Sequence, residues 1–301
     1  MSRRIACIVN PAAGNGRVGQ TVELIKQTFR SKGIEAEIHM TTSTAHVKDL
    51  ARYLGPEHEI IAAVGGDGTV NHVAAGVMDT RAAMAVIPCG SGNDFASLMK
   101  IPLDTVGACH TIHRAYVRKI DVGKASLGKE KTITLFVNTL GIGFDASVAY
   151  EAQFVPLLKG VPLYLTALAK SLARFQTVNF DVFDEVGHTI SEECFLACIG
   201  NGDREGGGFK VTPEANPTDG LLDVCIVTKV PLLRVLSIVR AVLAGRHHHL
   251  PDIRYFKTRN VRIRCASPMK VHTDGEVWRD SVTEIDVGVM PGRLNVISGE
   301  M

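Results

Sequence analysis

Cysteine is sparse and shows no pairing pattern: the chain has seven, an odd number, with no Cys-x-x-Cys anywhere. Neither a disulfide framework nor a thiolate zinc site is indicated. Cys194 and Cys198 fall in what reads as one strand, where they cannot bridge each other. The cysteines read as small core residues of a reduced, cytoplasmic protein. Long apolar runs are missing too. No uninterrupted stretch approaches the ~20 residues that cross a bilayer. The apolar start of the chain ends at Asn10, too short for a signal-peptide core. Blocks of Lys and Arg are absent, and 33 basic against 31 acidic residues leave a formal charge of +2, so no nucleic-acid partner is expected. Sequence repeats, low-complexity linkers and a Walker-type Gly-Lys-Ser/Thr loop are also lacking. What is present is ordinary globular material, 46% hydrophobic and 21% charged over 301 residues, enough for two compact domains.

The most informative segment is EIIAAVGGDGTVNHVAAGVM, from Glu59 to Met78. Ile60 to Val64 reads as a buried strand and the small-residue run after Thr69 as the helix that follows. Between them, Gly65 and Gly66 let the backbone turn tightly enough for its N–H groups to face an anion. The helix N-terminus adds partial positive charge at the same spot. Asp67 inside such a loop would repel phosphate unless a cation came with it, so the motif points to a metal–nucleotide complex.

Strand and helix alternate through the first third: Ile5 to Val9 strand, Val18 to Lys32 helix, Ile34 to Met40 strand, Ala45 to Leu54 helix, the GGDGT unit, and Ala82 to Pro88 strand. Alternation of this kind implies right-handed βαβ units and a parallel sheet, with ligands beyond the carboxyl ends of its strands. After about residue 117 the rhythm changes to short strands with period-two alternation and two clear helices, the mark of a mostly antiparallel β domain. The expected fold is therefore an α/β N-terminal domain over residues 1–122 and a β-rich domain over residues 123–290. The segment 291–301 is a candidate to return to the first.

Several motifs have plain structural explanations. Gly14, Gly16 and Gly19 spell the dinucleotide fingerprint, but Asn10-Pro-Ala-Ala delays the first glycine and the second strand ends in Met40-Thr41-Thr42 without an acid for a ribose. In Pro88-Cys-Gly-Ser-Gly-Asn-Asp-Phe, Ser91 suits a phosphate, while Asn93 or Asp94 suits a helix cap at Phe95. Asn216-Pro-Thr-Asp-Gly reads as a turn or as an oxygen-rich Mg²⁺ cluster. His272-Thr-Asp-Gly-Glu reads as an Asp-Gly hairpin, or as a base, Asp274, with an orienting partner, Glu276. The helices Pro162 to Arg174 and Pro231 to Gly245 are amphipathic and basic, suited to core packing or to a membrane surface. His247, His248 and His249 read as a polar loop.

Taken together, GGDGTVNHV, PCGSGNDFA, GIGFDA, GNGDREGGG, PEANPTDGLLDV and DGE resemble, in order and spacing, the diacylglycerol-kinase catalytic family, with its soluble bacterial lipid kinases and the related sphingosine and ceramide kinases. GGDGT alone is shared with NAD kinases and phosphofructokinases; the glycine-rich segment, DGLLDV and DGE are more specific. The resemblance implies an NAD-kinase-like two-domain lipid kinase with ATP in the inter-domain cleft and Mg²⁺ as its ion. It implies that Gly65, Gly66, Asp67, Gly68, Thr69, Val70 and Asn71 cradle phosphates with Thr41 and Ser91, and that Asn10 lies near the nucleotide. Asp274 would take the proton of a lipid hydroxyl, with Glu276 beside it and Asp67 as the third catalytic carboxylate. Asn216, Asp219 and the Leu221 carbonyl would form an accessory Mg²⁺ site. His72 departs from the family, whose bacterial members commonly carry Glu there. The expected partner is a lipid such as diacylglycerol, met by reversible peripheral contact from the cytoplasm; a homodimer is left open. The rivals are a kinase of a soluble acceptor such as NAD and a non-catalytic lipid or nucleotide sensor.

Overall fold

The computed structural model describes residues 3–13, 18–155, 160–172 and 176–300. Gly14 and Gly16 of the fingerprint, and Arg174 of the first basic helix, lie outside the described residues. The chain divides into one unit of Met1–Ile120 with Gly292–Met301 and a second of Asp121–Pro291.

The first unit runs β1 (Ile5–Val9), α1 (Val18–Arg30), β2 (Ala36–Met40), α2 (Thr44–Leu54), β3 (Ile60–Gly65), α3 (Asp67–Val77), β4 (Ala83–Pro88), α4 (Asp94–Leu98) and α5 (Thr105–Arg114). Every residue of β1, β3 and β4 is buried, as strands covered on both faces must be. Helix α2 packs on α3 and α1 on α5 to provide that cover. The pairing is parallel throughout, β2 beside β1, β1 beside β3 and β3 beside β4. From β1 the chain thus moves outward to β2 and then back to β3 on the other side. The switch point falls between β1 and β3, where ligands bind in open α/β sheets. Two helix starts show their cause in side chains: Ser43 accepts the His46 N–H at 3.2 Å and Asp104 the Gly107 N–H at 2.7 Å.

The second unit takes up the chain within β5 (Val117–Leu127), at Asp121, and holds β6 (Thr132–Phe136), β7 (Thr139–Gly143), α6 (Phe144–Ala152), α7 (Gly160–Leu172), β8 (Val178–Asp184), β9 (Thr189–Gly200), β10 (Leu222–Thr228), α8 (Leu232–Leu243), β11 (Ile253–Thr258), β12 (Asn260–Met269), β13 (Val271–Thr273), β14 (Glu276–Val277) and most of β15 (Val282–Ile297). The end of β15 returns to the first unit, where Val296 pairs in parallel with Met84 of β4. Strand β9 pairs antiparallel with β8 along its first half and with β7 and β10 along its second.

Strand β10 shows how one sequence serves two cores. Leu222, Val224 and Ile226 enter the core between the sheets, while Cys225 and Val227 face a second apolar cluster made with Phe144, Phe195, Val235 and Ile238. This is the period of two of a strand buried on both sides. Three helices build that second cluster's outer wall, where two were legible. Helix α6 begins right after Gly143, whose φ of +83° breaks the strand rhythm. The histidine run also differs from the expected polar loop. It forms a short 3-10 turn, and His247 is 1% exposed.

Candidate active site

In the first unit, β1 to β4 end at one edge of the sheet, and the loops there bring together Asn10, Thr41, Gly65 to Asn71 and Ser91. Most of these side chains hold the loop. Thr69 turns its hydroxyl back under β3, so close that a Cβ on Gly65 would lie 2.3 Å from it. Asn10 donates to the same hydroxyl at 3.3 Å and accepts the Ala12 N–H at 3.0 Å. Thr41 is buried and donates to the Val9 carbonyl at 3.1 Å. Val70 and Asn71 are buried on α3.

What faces outward is backbone. Helix α3 starts after Gly66 with no side-chain cap, so the N–H groups of its first turn, through Gly68, suit an anion. Asp67 Oδ1 accepts the Phe95 N–H at 3.1 Å and so anchors the start of α4. Burial raises the Asp67 carboxyl above its ordinary range, against the pull of the α4 amides. Asn93, at φ 57°, closes the neighbouring loop through Gly90, giving and receiving bonds of 3.0 and 2.9 Å. Exposed Ser91 rides on that loop.

The second unit builds its half from side chains. Asp274 and Gly275, at φ 48° and 83°, form the tight turn between Thr273 and its cross-strand partner Glu276. The turn aims the buried Asp274 carboxylate at three backbone amides. Oδ2 accepts Val137 N–H at 2.8 Å, and Oδ1 accepts Asn138 and Thr139 N–H at 2.9 Å each. Three amide bonds of this kind fix the direction of the carboxylate.

Beside this lies a cluster of residues not singled out from the sequence: Asp145, Glu205 and His272, all buried. Thr139 joins it to Asp274, its N–H bonding Asp274 and its hydroxyl Glu205 Oε2 at 2.8 Å. His272 Nε2 lies 3.1 Å from Asp145 Oδ2 and 3.7 Å from Glu205 Oε2. Burial, then the charge of Asp145, pushes Glu205 well above the usual carboxylate range; burial raises Asp145 as well. Of the two, Glu205 is pushed further and keeps its proton to higher pH. All three residues sat inside quoted motifs, GIGFDA, GNGDREGGG and HTDGE, but nothing local marks them as neighbours.

The three ligand atoms lie within 4.8 Å of one another, close enough for a metal ion. The ring argues against one. His272 Nδ1 faces the Gly275 N–H at 3.2 Å and must accept from it, so Nε2 carries the ring's hydrogen and donates to Asp145. A metal-ligating histidine shows the reverse pattern, with its distal nitrogen donating.

The implied accessory Mg²⁺ site does not fit either. Asn216 Oδ1 is taken by the Thr218 N–H and hydroxyl, at 3.2 and 2.8 Å. Asp219 Oδ1 accepts the N–H of Leu221 at 3.0 Å. The cation of this turn is Lys257, whose Nζ sits 2.8 Å from the Glu214 carbonyl, 3.3 Å from Asp219 Oδ2 and 3.2 Å from Asp223 Oδ2. An ammonium has three donors, and all are used here.

An apolar cavity of about 100 Å³ lies under α6 and α8, lined by Phe144, Val148, Phe195, Val227, Ile238 and their neighbours. Asp145, Glu205 and His247 also line it.

Comparison with known proteins agrees with this architecture. Residues 4–125 match the diacylglycerol kinase catalytic domain, and residues 138–298 match the YegS C-terminal NAD kinase beta sandwich-like domain. The chain belongs to the diacylglycerol-kinase catalytic family. It is 28% identical to a diacylglycerol kinase of Bacillus subtilis (strain 168), over 97% of this chain and 93% of that one. A Staphylococcus saprophyticus diacylglycerol kinase is 25% identical over 92% and 90%. Among solved structures, a diacylglycerol kinase of Bacillus anthracis str. Sterne superposes with a TM-score of 0.74 at 22% identity, covering 99% and 97% of the two chains. Yeast NADH kinase, solved with NADH, shares the fold at a TM-score of 0.54 and 11% identity, over 100% and 84%. A family member with a parallel α/β unit and an antiparallel β unit is thus a kinase by descent, and its own residues must say of what.

Proposed function

We propose that the protein transfers the γ-phosphoryl group of Mg-ATP to a hydroxyl group of a lipid. The observation that carries this reading is the apolar cavity lined by Asp145 and Glu205, which Thr139 connects to the Asp274 carboxylate. A soluble acceptor such as a dinucleotide has no use for a slot walled by phenylalanine, valine and isoleucine, whereas an acyl chain gains from leaving water there. At about 100 Å³ the slot takes only a few methylenes, so a longer chain requires the α8 wall to shift.

In this reading the first unit binds the triphosphate at the uncapped start of α3, where backbone amides neutralise charge without reorganising. Mg²⁺ bound with ATP would offset the charge that Asp67 adds. Asp274 takes the acceptor's O–H proton as the oxygen–phosphorus bond forms and the bond from the γ-phosphorus to ADP breaks. Its three amide bonds fix the carboxylate's direction, and positioning supplies most of the acceleration in phosphoryl transfer.

None of the described helices is long and apolar enough to cross a membrane. Contact with lipid is assigned to α8, where Leu233 and Leu236 are 84% and 59% exposed beside Arg240, and to α7 with its exposed Leu165 and Lys170.

The test is γ-labelled ATP with Mg²⁺, purified protein and a total bacterial lipid extract in mixed micelles. Label should enter lipid with the wild type. Asp274→Asn, checked for an unchanged melting curve and for ATP binding, should fall by about 10²–10⁴-fold. Normal turnover by that variant would remove Asp274 from the role of base. Withdrawing anionic lipid from the micelles should slow the reaction; an unaltered rate would argue against docking through α7 and α8. Labelled soluble acceptor with no labelled lipid would sink the lipid reading.

A further inference from the structure

We propose that His272 is a positioning residue for the Asp274 base, set to that task by the buried carboxylate of Asp145. The inference rests on the reading of Asp274 as the base and adds the device that aims it.

The turn that carries Asp274 has little support of its own. Strands β13 and β14 meet through two residue pairs, His272 with Val277 and Thr273 with Glu276. Asp274 sits at φ 48°, a left-handed conformation that residues with a Cβ rarely adopt. Such a conformation persists where its surroundings over-determine it. Here they do so from two sides. On one, the Val137, Asn138 and Thr139 amides hold the carboxylate, and the Thr139 carbonyl accepts the Asp274 N–H at 2.8 Å. On the other is the His272 ring, whose Nδ1 accepts the Gly275 N–H at 3.2 Å and so ties the turn from within.

That last bond needs a ring with a bare Nδ1. Asp145 Oδ2, 3.1 Å from Nε2, keeps the ring's hydrogen on the far nitrogen. The ring is 2% exposed, so its two nitrogens depend on these partners. The pair is seated on Gly141, the residue of β7 directly opposite His272. A Cβ at Gly141 would collide with His272 Nε2 and Asp145 Oδ2 alike. The first glycine of GIGFDA thus leaves room for the ring, and the aspartate of the same motif fixes its hydrogen. Among the described residues, His272 is not part of the apolar cavity's lining, so its loss should appear in kcat and not in the KM of the lipid.

The experiment measures kcat and KM with the full chain, Mg-ATP and total bacterial lipid extract in mixed micelles, for each variant alone and combined with Asp274→Asn. His272→Gln keeps a donor at the depth of Nε2 and loses the acceptor for Gly275. It should lower kcat about 10–100-fold and leave KM for ATP and lipid within about twofold. His272→Asn sets an amide oxygen at the depth of Nδ1 and should recover part of that loss. Combined with Asp274→Asn, His272→Gln should cost nothing more, because it acts through the base alone. A merely structural role would lower turnover by the same factor in both backgrounds and would not separate Asn from Gln. Should His272→Gln fold poorly, Asp145→Asn gives the same reading: its amide can donate to Nε2, which moves the ring's hydrogen to Nδ1, against the Gly275 N–H. An unaltered kcat, or equal losses with and without the Asp274 carboxylate, overturns the inference. Normal turnover by Asp274→Asn alone is a different result, which fails the base reading and the inference with it. If label enters a soluble acceptor and no lipid, the lipid reading fails, and the same ratios are read on that acceptor.

Discussion

The two units place their functional groups by opposite means. In the first, the surface offered to a ligand is backbone: the uncapped start of α3 and the loop at Gly90, with Thr69, Asn10 and Asp67 turned inward to hold that backbone in shape. In the second, the surface is side chains carried by segments far apart in the chain. Asp145 follows β7, Glu205 lies in the loop after β9, and His272 and Asp274 stand on β13 and its turn. The difference follows from what each presents. Phosphate is recognised by N–H groups that every residue owns, so local glycines suffice. The cluster of the second unit is made of particular carboxyl and imidazole groups, which a sheet must bring together from afar.

The comparison breaks most visibly at Gly90. A Cβ there would lie 2.5 Å from Gly66 Cα, backbone against backbone, with no flexible side chain to yield. Gly90→Val should force the two loops apart and reduce ATP binding and turnover by at least about 100-fold. The second unit should keep its own lipid affinity, read by binding to lipid micelles without nucleotide. Retained ATP affinity in that variant would show that the first unit's site is not built from this close approach.

That asymmetry decided how much was legible in the sequence. Glycines at 65, 66 and 90, and the strands before them, announce a phosphate loop over a few consecutive residues. The Asp-Gly turn at 274 and 275 likewise announces its hairpin. Nothing over so short a span says that Thr139 joins Asp274 to Glu205, since those residues are separated by 135 and 66 positions. Helix α6 is not legible in the sequence because its mostly apolar stretch, FDASVAYEA, follows Gly143 without a polar cap and continues the apolar run of β7. Asn93 and Asp94 are the local candidates to cap α4, and Asn93 does hold the N-cap position, yet the side chain that accepts the Phe95 N–H is Asp67, 28 residues before Phe95. Side-chain bonds between distant segments follow from the folded topology and not from spacing.

A second way to sharpen the contrast is pH. Glu205 keeps its proton in the folded protein well above the ordinary carboxylate range, because of burial and the neighbouring Asp145 charge. Once pH exceeds the unfolded value of about 4.3, the folded state holds more protons at this site than the unfolded state. Stability should therefore fall as pH rises from there toward the folded pKa, by up to about 1.4 kcal/mol per pH unit for one proton. Glu205→Gln keeps the hydrogen-bonding shape and removes the titration, so its melting temperature should depend less steeply on pH across that window. Equal slopes for the two proteins would mean that the proton is not held at this pair.

The smallest expected effect concerns Lys257, and it separates this chain from the accessory metal its family resemblance implies. Its ammonium lies between Asp219 and Asp223, 3.3 and 3.2 Å from their carboxylate oxygens. The pairing is partly exposed, Lys257 at 31%, so screening limits its worth to about 1 kcal/mol. With lysine in place, chelator or added Mg²⁺ should leave the melting temperature unchanged. Lys257→Met should lower it by a few degrees, and Mg²⁺ should then restore part of the loss by taking the vacated position between the two carboxylates. A wild type that loses stability in chelator would show that the turn needs a divalent ion in spite of its lysine. A variant indifferent to Mg²⁺ would show instead that the oxygens around Asp219 are spaced for an ammonium alone.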